Sequence, residues 1–256
     1  MLKSYIKRLK QVAHAMLSLL FSFLSDCSQF YKHGYRSSGI YPMWLKQGYQ
    51  FASFYCDMET VSELTNKLGW TVLQKRFNGI ENFNRNWNEY TKGFGTLDGE
   101  HWAGLENIFS ITNQMVSKFS QPESNTPWLR IDFEDWNGLQ LYTEINGFAI
   151  SSAEQRYYTY DIGPAYGSAT YLDDNSVPFH HGKFSTVDND KTDDKCPSKS
   201  KGGWWWFHNT CGVANLNGYY TKHKSRMELN SIYWHAWPRV NGVRTSLRRV
   251  SMKVQY

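Results

Sequence analysis

The sequence lacks the short motifs that mark many enzyme active sites. It contains no G-x-S-x-G nucleophile turn, no Walker phosphate loop and no H-E-x-x-H zinc signature. Its most glycine-rich stretch, "GFGTLDG" at residues 93–99, follows a polar helical segment rather than a strand, and we interpret it as a turn. Nothing in the sequence argues for catalysis, so we expect a non-catalytic protein.

Most of the chain also lacks a strong excess of one charge. The formal net charge is +5, but residues 1–26 contribute +3 of it (four Lys or Arg against one Asp), which leaves +2 for residues 27–256. A nucleic-acid-binding domain concentrates positive charge on its folded part, so nucleic acid is not an expected partner. Basic residues crowd the C-terminal part, where a solvated surface is the default interpretation and binding of an anionic glycan or a membrane surface is the sharper one. They are Lys222, Lys224, Arg226, Arg244, Arg248, Arg249 and Lys253.

Cysteine is scarce, and none of the four cysteines forms a C-x-x-C pair. A zinc site built from them is therefore not expected. Of the three connectivities, two local disulfides, Cys27–Cys56 and Cys196–Cys211, are the simplest explanation of the spacing. The alternative is four buried free thiols in a cytosolic protein.

Residues 1–25 differ in kind from the rest of the chain. A basic start followed by an apolar stretch from Val12 to Leu24 is typical of a signal peptide, although Phe23 stands where a cleavage site prefers a small residue. The same segment carries an apolar heptad seam, which is typical of an oligomerising helix. The apolar stretch is short for a membrane span. Both interpretations suit a secreted protein, and the second would make it a homo-oligomer.

The remaining chain has a composition that favours short strands and turns. Gly, Asn, Tyr and Trp are frequent, whereas Ala and Glu are sparse in the middle of the chain. The clearest element is a hairpin at residues 129–145, where polar and apolar side chains alternate around an Asn137-Gly138 turn. A short helix is predicted within residues 82–95, ended by Gly93 or Gly95. The polar stretch at residues 192–203 is predicted to be an exposed loop.

An acidic stretch, "DNDKTDD" at residues 188–194, gathers four carboxylates in seven residues. Calcium takes about six to eight oxygen ligands from carboxylates, carbonyls and water, and an irregular loop supplies them. The stretch is not an EF-hand, because Asp193 stands at the position of the turn glycine and Lys199 at that of the bidentate glutamate. Taken alone, such a loop is more often simply solvated.

Three consecutive tryptophans, Trp204, Trp205 and Trp206, precede Cys211 and an Asn-Leu-Asn-Gly turn. Neighbouring side chains of an extended chain point to opposite faces, so the three cannot all face one core. We therefore expect at least one of them to lie near the surface or to line a cavity, as part of the wall of a site.

Several stretches together carry a resemblance to a known family. They are "LGWTVLQKRFNGIENFNRNWNEYTKGFG", "GEHWAGLENI", "LRIDFEDWNG", "KFSTVDND" and the Trp-rich segment with its cysteine and "NLNG" turn. In order and spacing they resemble the fibrinogen C-terminal domain family, which includes ficolins, tachylectins and angiopoietins. The resemblance implies an α+β fold with a twisted antiparallel sheet, short helices and a loop-rich C-terminal subdomain.

The resemblance also implies how the chain is divided. Residues 1–25 would be a signal peptide or a residual oligomerising helix, and residues 26–256 would form the fibrinogen C-terminal domain. Its subdomains would lie at about residues 26–68, 69–172 and 173–256. The two disulfides of the family fall on Cys27–Cys56 and Cys196–Cys211, in agreement with the cysteine spacing.

The calcium site of the family falls on the acidic stretch, which reverses the interpretation of that stretch as merely solvated. By resemblance, Ca²⁺ would be bound by side-chain oxygens of Asp188 and Asp190 and by carbonyls near Thr192 and Asp194. The segment from Asp188 to Cys196 is shorter than the family pattern. This difference bears on the carbonyl ligands rather than on the two aspartates.

In family members the Trp-rich segment and its cysteine border a recognition pocket beside the calcium loop. The pocket residues that this implies are Trp205, Trp206, Phe207, His208, Thr210, Cys211, Gly212, Tyr233, Trp234 and Trp237. A pocket with aromatic walls accepts either an acetyl methyl group or a protein side chain, so its shape alone does not identify the ligand.

Two hypotheses about the partner follow. The first is a secreted, extracellular, calcium-containing lectin of innate immunity that binds glycans or acetylated ligands. The second is an angiopoietin-like ligand that binds a cell-surface receptor protein through the C-terminal subdomain. Gly212 stands where acetyl-binding lectins of the family have histidine, and Thr245 stands where they tend to have an aromatic residue. The Cys-Gly pair resembles the angiopoietin branch instead.

Overall fold

The fold is organised around one antiparallel sheet whose strands come from distant parts of the chain. In the computed structural model the described residues are 24–114, 127–160, 163–170, 179, 181–206, 211, 213–237 and 243–256. In chain order the strands are β1 (Gly39–Leu45), β2 (Gln50–Asp57), β3 (Trp70–Arg76), β4 (Phe94–Gly95), β5 (His101–Trp102), β6 (Trp128–Asp135), β7 (Gln140–Ile145), β8 (Ala165–Tyr166), β9 (Lys183–Ser185), β10 (Trp204–Trp206), β11 (Ala214–Asn215), β12 (Tyr233–Trp234) and β13 (Leu247–Gln255). The helices are α1 (Cys27–Lys32), α2 (Trp87–Lys92), α3 (Leu105–Asn113) and α4 (Cys196–Ser200), with a 3₁₀ turn at Ala153–Gln155.

The main sheet has the strand order β1-β2-β3-β13-β6-β7-β8, and the short β4–β5 pair joins it beside β3. Two further ribbons, β9 with β10 and β11 with β12, stand apart from it. This architecture, mostly antiparallel with a few short helices, agrees with the α+β fold that the sequence implies. Among the described residues, no helix has both the length and the apolar character needed to cross a lipid bilayer.

The N-terminal strands form an edge ribbon that a disulfide fastens to the first helix. The Asp26 side chain caps α1 by accepting a hydrogen bond from the Gln29 N–H group. Cys27 of α1 is bonded to Cys56 of β2. The second disulfide joins Cys196 to Cys211, so both predicted pairings are confirmed.

The last strand, β13, lies in the middle of the sheet, hydrogen-bonded to β3 on one side and to β6 on the other. Val250 thus stands opposite both Arg76 and Phe133. Its alternate side chains bury apolar groups on one face, where Met252 and Val254 are fully inside. The polar Lys253 is also buried, because its ammonium group forms two ion pairs described below.

Ion pairs cover the polar face of the sheet. Lys253 Nζ lies 2.7 Å from Asp57 Oδ2 and 2.6 Å from Asp132 Oδ2. Arg130 lies 2.7 Å from Asp132 Oδ1 and 2.6 Å from Glu144 Oε1. Burial raises the pKa of the Asp57 carboxyl, but the charge of the Lys253 ammonium and hydrogen bonds from Lys253 and Thr60 together lower it by more, so its pKa lies well below the ordinary value.

Two local sequence predictions hold in this region. The hairpin forms as β6 and β7 around the Asn137-Gly138 turn, with Leu129 opposite Ile145. The helix α2 begins after Asn86, whose side chain and that of Glu89 form a capping box, and it ends at Gly93. In contrast, the prediction of an exposed loop over residues 192–203 is wrong in part. That range contains α4, in which Cys196 and Ser200 are buried. The disulfide and adjoining segments of the same chain cover them.

Candidate functional site

The three consecutive tryptophans lie on β10, paired with β9. Trp204, Trp205 and Trp206 are buried, with relative exposures of 1%, 0% and 3%. The expectation of a tryptophan near the surface is therefore wrong. All three belong to one hydrophobic core, in which the rings of Trp204 and Trp205 contact each other with centroids 5.4 Å apart. That one of them lines a cavity stays a prediction.

Aromatic neighbours show how the buried tryptophans are connected to the rest of the C-terminal region. Trp205 packs against Trp102 on β5, with ring centroids 5.8 Å apart. Phe179 contacts Trp204, Trp205 and Trp234, with ring centroids 5.7, 6.2 and 6.3 Å away. Two of the predicted pocket residues, Trp205 and Trp234, thus share one aromatic neighbour.

The structure describes five of the predicted pocket aromatics. Two of them donate a hydrogen bond from the indole N–H group, and in two others that group has no acceptor among the described residues. Trp205 Nε1 donates to the Tyr157 carbonyl at 2.7 Å, and Trp234 Nε1 donates to the Ala169 carbonyl at 2.8 Å. In the described part of the chain, the indole N–H groups of Trp206 and Trp237 are buried without an acceptor. Such unpaired buried donors are rare in native proteins and call for a specific explanation.

The other predicted pocket residues divide into two groups. Cys211 is half-buried in its disulfide, and Tyr233 is buried on β12. Phe207, His208, Thr210 and Gly212 lie outside the described residues. The pocket as a whole therefore stays a prediction.

The Asn-Leu-Asn-Gly turn is attached to the central sheet by two buried side chains of β3. Gln74 Nε2 donates to the Leu216 carbonyl at 2.8 Å and to Asn217 Oδ1 at 3.0 Å. Arg76 Nη1 donates to the carbonyls of Leu216 and Gly218, at 3.2 and 2.9 Å. Gly218 is required here by close approach, because a Cβ atom would overlap the Ser231 carbonyl.

A buried carboxylate that the sequence did not single out shapes the neighbouring loop. Glu100 accepts hydrogen bonds from the backbone N–H groups of four residues at 2.7–3.1 Å, namely Phe77, Asn78, Gly79 and Glu81. Burial raises the pKa of Glu100, but these four donors lower it by more, so the net shift is downward. A single glutamate in a turn-rich stretch carries no sequence signal for this role.

The exposed part of the C-terminal region presents apolar side chains. Leu229 and Val243 are 41% and 40% exposed, and His235 and Ala236 are half-buried. The backbone behind them is tied down, because Asn215 Nδ2 donates to the Leu229 carbonyl at 3.1 Å. We call Leu229 and Val243 the apolar surface, since the hydrogen bond from the Met227 N–H group to the Arg244 carbonyl brings their two segments together.

The acidic loop is held by hydrogen bonds that its own aspartates accept. Asp188 Oδ1 accepts from the Trp87 N–H group at the start of α2, at 2.9 Å. Asp190 Oδ1 accepts from the N–H group and the hydroxyl of Thr192, at 2.8 and 2.7 Å. The Thr192 hydroxyl in turn accepts from the Cys196 N–H group at 2.8 Å. The loop therefore joins α2 to the second disulfide.

The oxygen atoms of this loop are the right kind of ligand for Ca²⁺. In the described ranges no three His, Cys, Asp or Glu side chains come together as a metal-binding group. An ion bound by Asp188 and Asp190 would therefore draw most of its roughly six to eight oxygens from backbone carbonyls and water. The two aspartates fit such a site, and Thr192 and Asp194 would contribute through their backbone.

The fold and the geometry of the C-terminal region match one family. A family model described as the C-terminal globular domain of fibrinogen beta and gamma chains matches residues 23–256. This chain belongs to the fibrinogen C-terminal domain family, as the sequence resemblance predicted.

Angiopoietins and an angiopoietin-related protein are among the curated relatives. Angiopoietin-2 of Canis lupus familiaris is 35% identical over 231 residues, and angiopoietin-1 of Homo sapiens is 35% identical over 233 residues. Each alignment covers 90% of this chain and 42% of the relative, so the chain spans less than half the length of these angiopoietins. Angiopoietin-related protein 7 of Mus musculus is 34% identical over 251 residues, covering 96% of this chain and 67% of that protein.

Solved structures give the same result. The fibrinogen-like globe domain of human ANGPTL2 superimposes with a TM-score of 0.75 at 30% identity, over 91% of this chain and 98% of that one. Lamprey fibrin D-dimer, complexed with the peptide Gly-His-Arg-Pro-amide, superimposes with a TM-score of 0.71 at 26% identity. That match covers 98% of this chain and 83% of the fibrin chain.

Proposed function

We propose that this chain acts outside the cell as a secreted, non-catalytic, angiopoietin-like ligand that binds a cell-surface receptor protein. The observation that carries the proposal is the apolar surface, where Leu229 and Val243 are exposed on a C-terminal region of a fibrinogen-type domain. Similarity to angiopoietins and to an angiopoietin-related protein supports the same class of partner. The two disulfides suit an oxidising extracellular environment.

The apolar surface has the properties of a protein-binding site. Exposed apolar side chains gain free energy when a partner removes them from water. They are carried on backbone that hydrogen bonds already order, including the bond from the Met227 N–H group to the Arg244 carbonyl at 2.9 Å. Less conformational entropy is then lost on binding, which favours affinity.

The test is binding of the whole purified chain to cells that each display one receptor ectodomain. We expect at least one ectodomain to be bound, with no competition by free N-acetylglucosamine. Leu229→Asp together with Val243→Asp should weaken that binding about tenfold or more, since charges replace buried apolar contacts. Ile40→Asp with Val61→Asp is the matched control, because these side chains are as exposed but lie in the N-terminal region. Equal loss in both double variants, or no bound ectodomain, would contradict the proposal.

The lectin-like hypothesis predicts a different result. If it is correct, an acetylated resin should retain the protein in the presence of calcium. A chelator or a free N-acetylated sugar should then release the protein. Two observations weigh against it: Gly212 replaces the histidine of acetyl-binding relatives, and Trp205, Trp206 and Trp234 are buried. Retention of this kind would favour the lectin over the receptor ligand.

We also propose that the acidic loop binds Ca²⁺ through Asp188 and Asp190. An ion that binds only the folded state raises the melting temperature, with about 2.7 kcal/mol of stabilisation at a hundredfold excess over Kd. The calcium-induced shift should vanish in Asp188→Asn/Asp190→Asn, which keeps a hydrogen-bond acceptor at each position. It should persist in Asp194→Ala, which keeps the backbone carbonyl. No shift in the unmodified protein, or an equal shift in the double variant, would contradict the site.

A further inference from the structure

A groove of about 640 Å³ lies beside the Asn-Leu-Asn-Gly turn, and the proposed receptor function does not use it. The lining residues that matter here are Arg76, Ile80, Lys201, Tyr219, Tyr220 and Lys222. Tyr219 is 62% exposed, and Lys201 and Lys222 are also exposed. The groove therefore combines an aromatic wall with two solvent-facing ammonium groups.

The charges of the groove do not cancel. The buried Arg76 is balanced by Glu100, whose Oε1 lies 4.0 Å from Arg76 Nε. The carboxylate of Glu81 is paired with Arg85 at 2.8 Å. For Lys201 and Lys222 the structure shows no carboxylate partner among the residues it describes. Their positive charge is thus available to an anionic ligand.

Beyond Lys222 the positive charge continues along the surface. The backbone of Ser225 accepts a hydrogen bond from the Ser246 N–H group at 3.0 Å, so the segment at residues 221–227 lies against the start of β13. This contact places two groups of basic residues side by side. We call Lys222, Lys224, Arg226, Arg244, Arg248 and Arg249 the basic surface. Arg248 and Arg249 share one carboxylate, that of Glu134, at 3.3 and 3.7 Å.

Aromatic rings connect the groove to the basic surface. Tyr220 of the groove packs edge-on against Trp136, with ring centroids 5.9 Å apart. The Arg248 guanidinium lies 5.9 Å from the centroid of Trp136. Lys224 Nζ donates to Asn137 Oδ1, next to that tryptophan, at 3.0 Å. Cations and aromatic rings therefore follow one continuous path.

We propose that the groove and the basic surface bind a sulfated polysaccharide. Sulfate groups are permanent anions that accept charge-assisted hydrogen bonds from lysine and arginine. The apolar faces of sugar rings pack against aromatic side chains such as Tyr219. A linear chain with repeated sulfates matches a path longer than one pocket, and local charge of one sign concentrates such a ligand even though the net charge of residues 27–256 is small. The proposal rests on other residues than the apolar surface, so either can fail alone.

The experiment measures binding of the whole folded chain to heparin, with resin retention and a heparin oligosaccharide in solution. Lys222→Gln/Lys224→Gln/Arg248→Gln removes three charges of the basic surface. Lys46→Gln/Lys67→Gln/Lys183→Gln removes three exposed charges elsewhere and is the matched control. The first variant should elute from heparin at clearly lower salt. The slope of log Kd against log salt should fall by about 2, because binding through fewer contacts releases fewer counterions. The control should behave as the unmodified protein.

A sulfopropyl resin separates specific recognition from net charge. Both triple variants lose the same charge, so they should elute from that resin at similar salt. Tyr219→Ser should weaken heparin binding several-fold with no change on the sulfopropyl resin, because only the polysaccharide presents sugar rings. Melting temperatures near that of the unmodified protein show that the variants are folded. An equal shift of both triple variants on heparin, or no heparin binding at physiological salt, would overturn the proposal. Binding of Leu229→Asp/Val243→Asp to heparin should be unchanged.

Discussion

The central sheet and the C-terminal region differ in the kind of polar group that they bury. On the sheet, Lys253 lies between Asp57 and Asp132, and Arg130 lies between the same Asp132 and Glu144. In the C-terminal region the indole N–H groups of Trp206 and Trp237 are buried without acceptors. The sheet also buries side-chain atoms of Gln74, Thr143 and Gln255 without a partner among the described residues. The two regions differ instead in charge, because the sheet pairs its buried cations with carboxylates, whereas the C-terminal region buries neutral indole groups and exposes the apolar surface.

The two regions also differ in the length of their strands. The sheet contains strands of seven to nine residues, such as β3 and β13, whereas β11 and β12 have two residues each. Short ribbons joined by side-chain hydrogen bonds tolerate changes in the connecting loops better than a continuous sheet does. The difference teaches that recognition is carried by loops fixed from behind, through contacts such as that between Gln74 and Leu216.

The largest effect is expected at Glu100, a buried carboxylate next to the central sheet that holds a loop of the groove. Glu100→Ala should lower the free energy of unfolding by roughly 3–5 kcal/mol, because four backbone N–H groups and the buried Arg76 lose their partner. Urea denaturation followed by tryptophan fluorescence measures the loss. Glu63→Ala is the control, since the exposed Glu63 accepts a hydrogen bond from the Tyr142 hydroxyl, and it should cost under about 1 kcal/mol. Similar losses in both variants would show that the Glu100 bonds are not special.

A smaller effect concerns the pH dependence of stability in the central sheet. The pKa of Asp57 is depressed, so its stabilising contribution is present above the unfolded-state pKa of about 3.9 and is lost as pH falls below it. Asp57→Asn should therefore lower stability by about 1–3 kcal/mol at pH 7 and flatten the pH profile below about pH 4. Melting temperatures measured from about pH 2 to about pH 7 test this. In Asp98→Asn, an exposed control, the profile should keep its slope; a steep acid loss that survives in Asp57→Asn would contradict the assignment.

The smallest expected effect concerns the exposed edge ribbon. Trp44 and Phe51 stand directly opposite each other, with ring centroids 4.9 Å apart. A double-mutant cycle with Trp44→Ala and Phe51→Ala should give a coupling energy of about 0.5–1 kcal/mol, because cross-strand aromatic pairs stabilise a ribbon directly. A coupling of zero would mean that these rings are held for a partner rather than for stability.

Local chemistry explains which elements the sequence predicts. The hairpin follows from alternation and an Asn-Gly turn, and α2 follows from Asn86 and Gly93, each of which acts within a few residues. In both cases the information lies in the segment itself. The disulfide pairs, in contrast, are only the simplest of the three connectivities that the spacing allows, and the family resemblance implies the same pairs.

The wrong and missed features all depend on tertiary contacts. Burial of the tryptophans on β10 requires neighbours from distant segments, such as Trp102 and Phe179. The four donors to Glu100 converge only after β3 and β5 have paired. For the site, the sequence placed Asp188 and Asp190 in a loop with calcium-type ligands, but the bond from Asp188 to the start of α2 joins residues 101 positions apart.

The central position of β13 has a consequence for biosynthesis. Strands β3 and β6 do not pair with each other, because Leu247–Gln255 lies between them. Nearly the whole domain is therefore synthesised before β13 can join β3 to β6. Until then the apolar faces of the earlier strands stay uncovered. A stop codon before residue 247 would leave β3 and β6 without the strand that joins them, so we expect such a truncated chain not to fold.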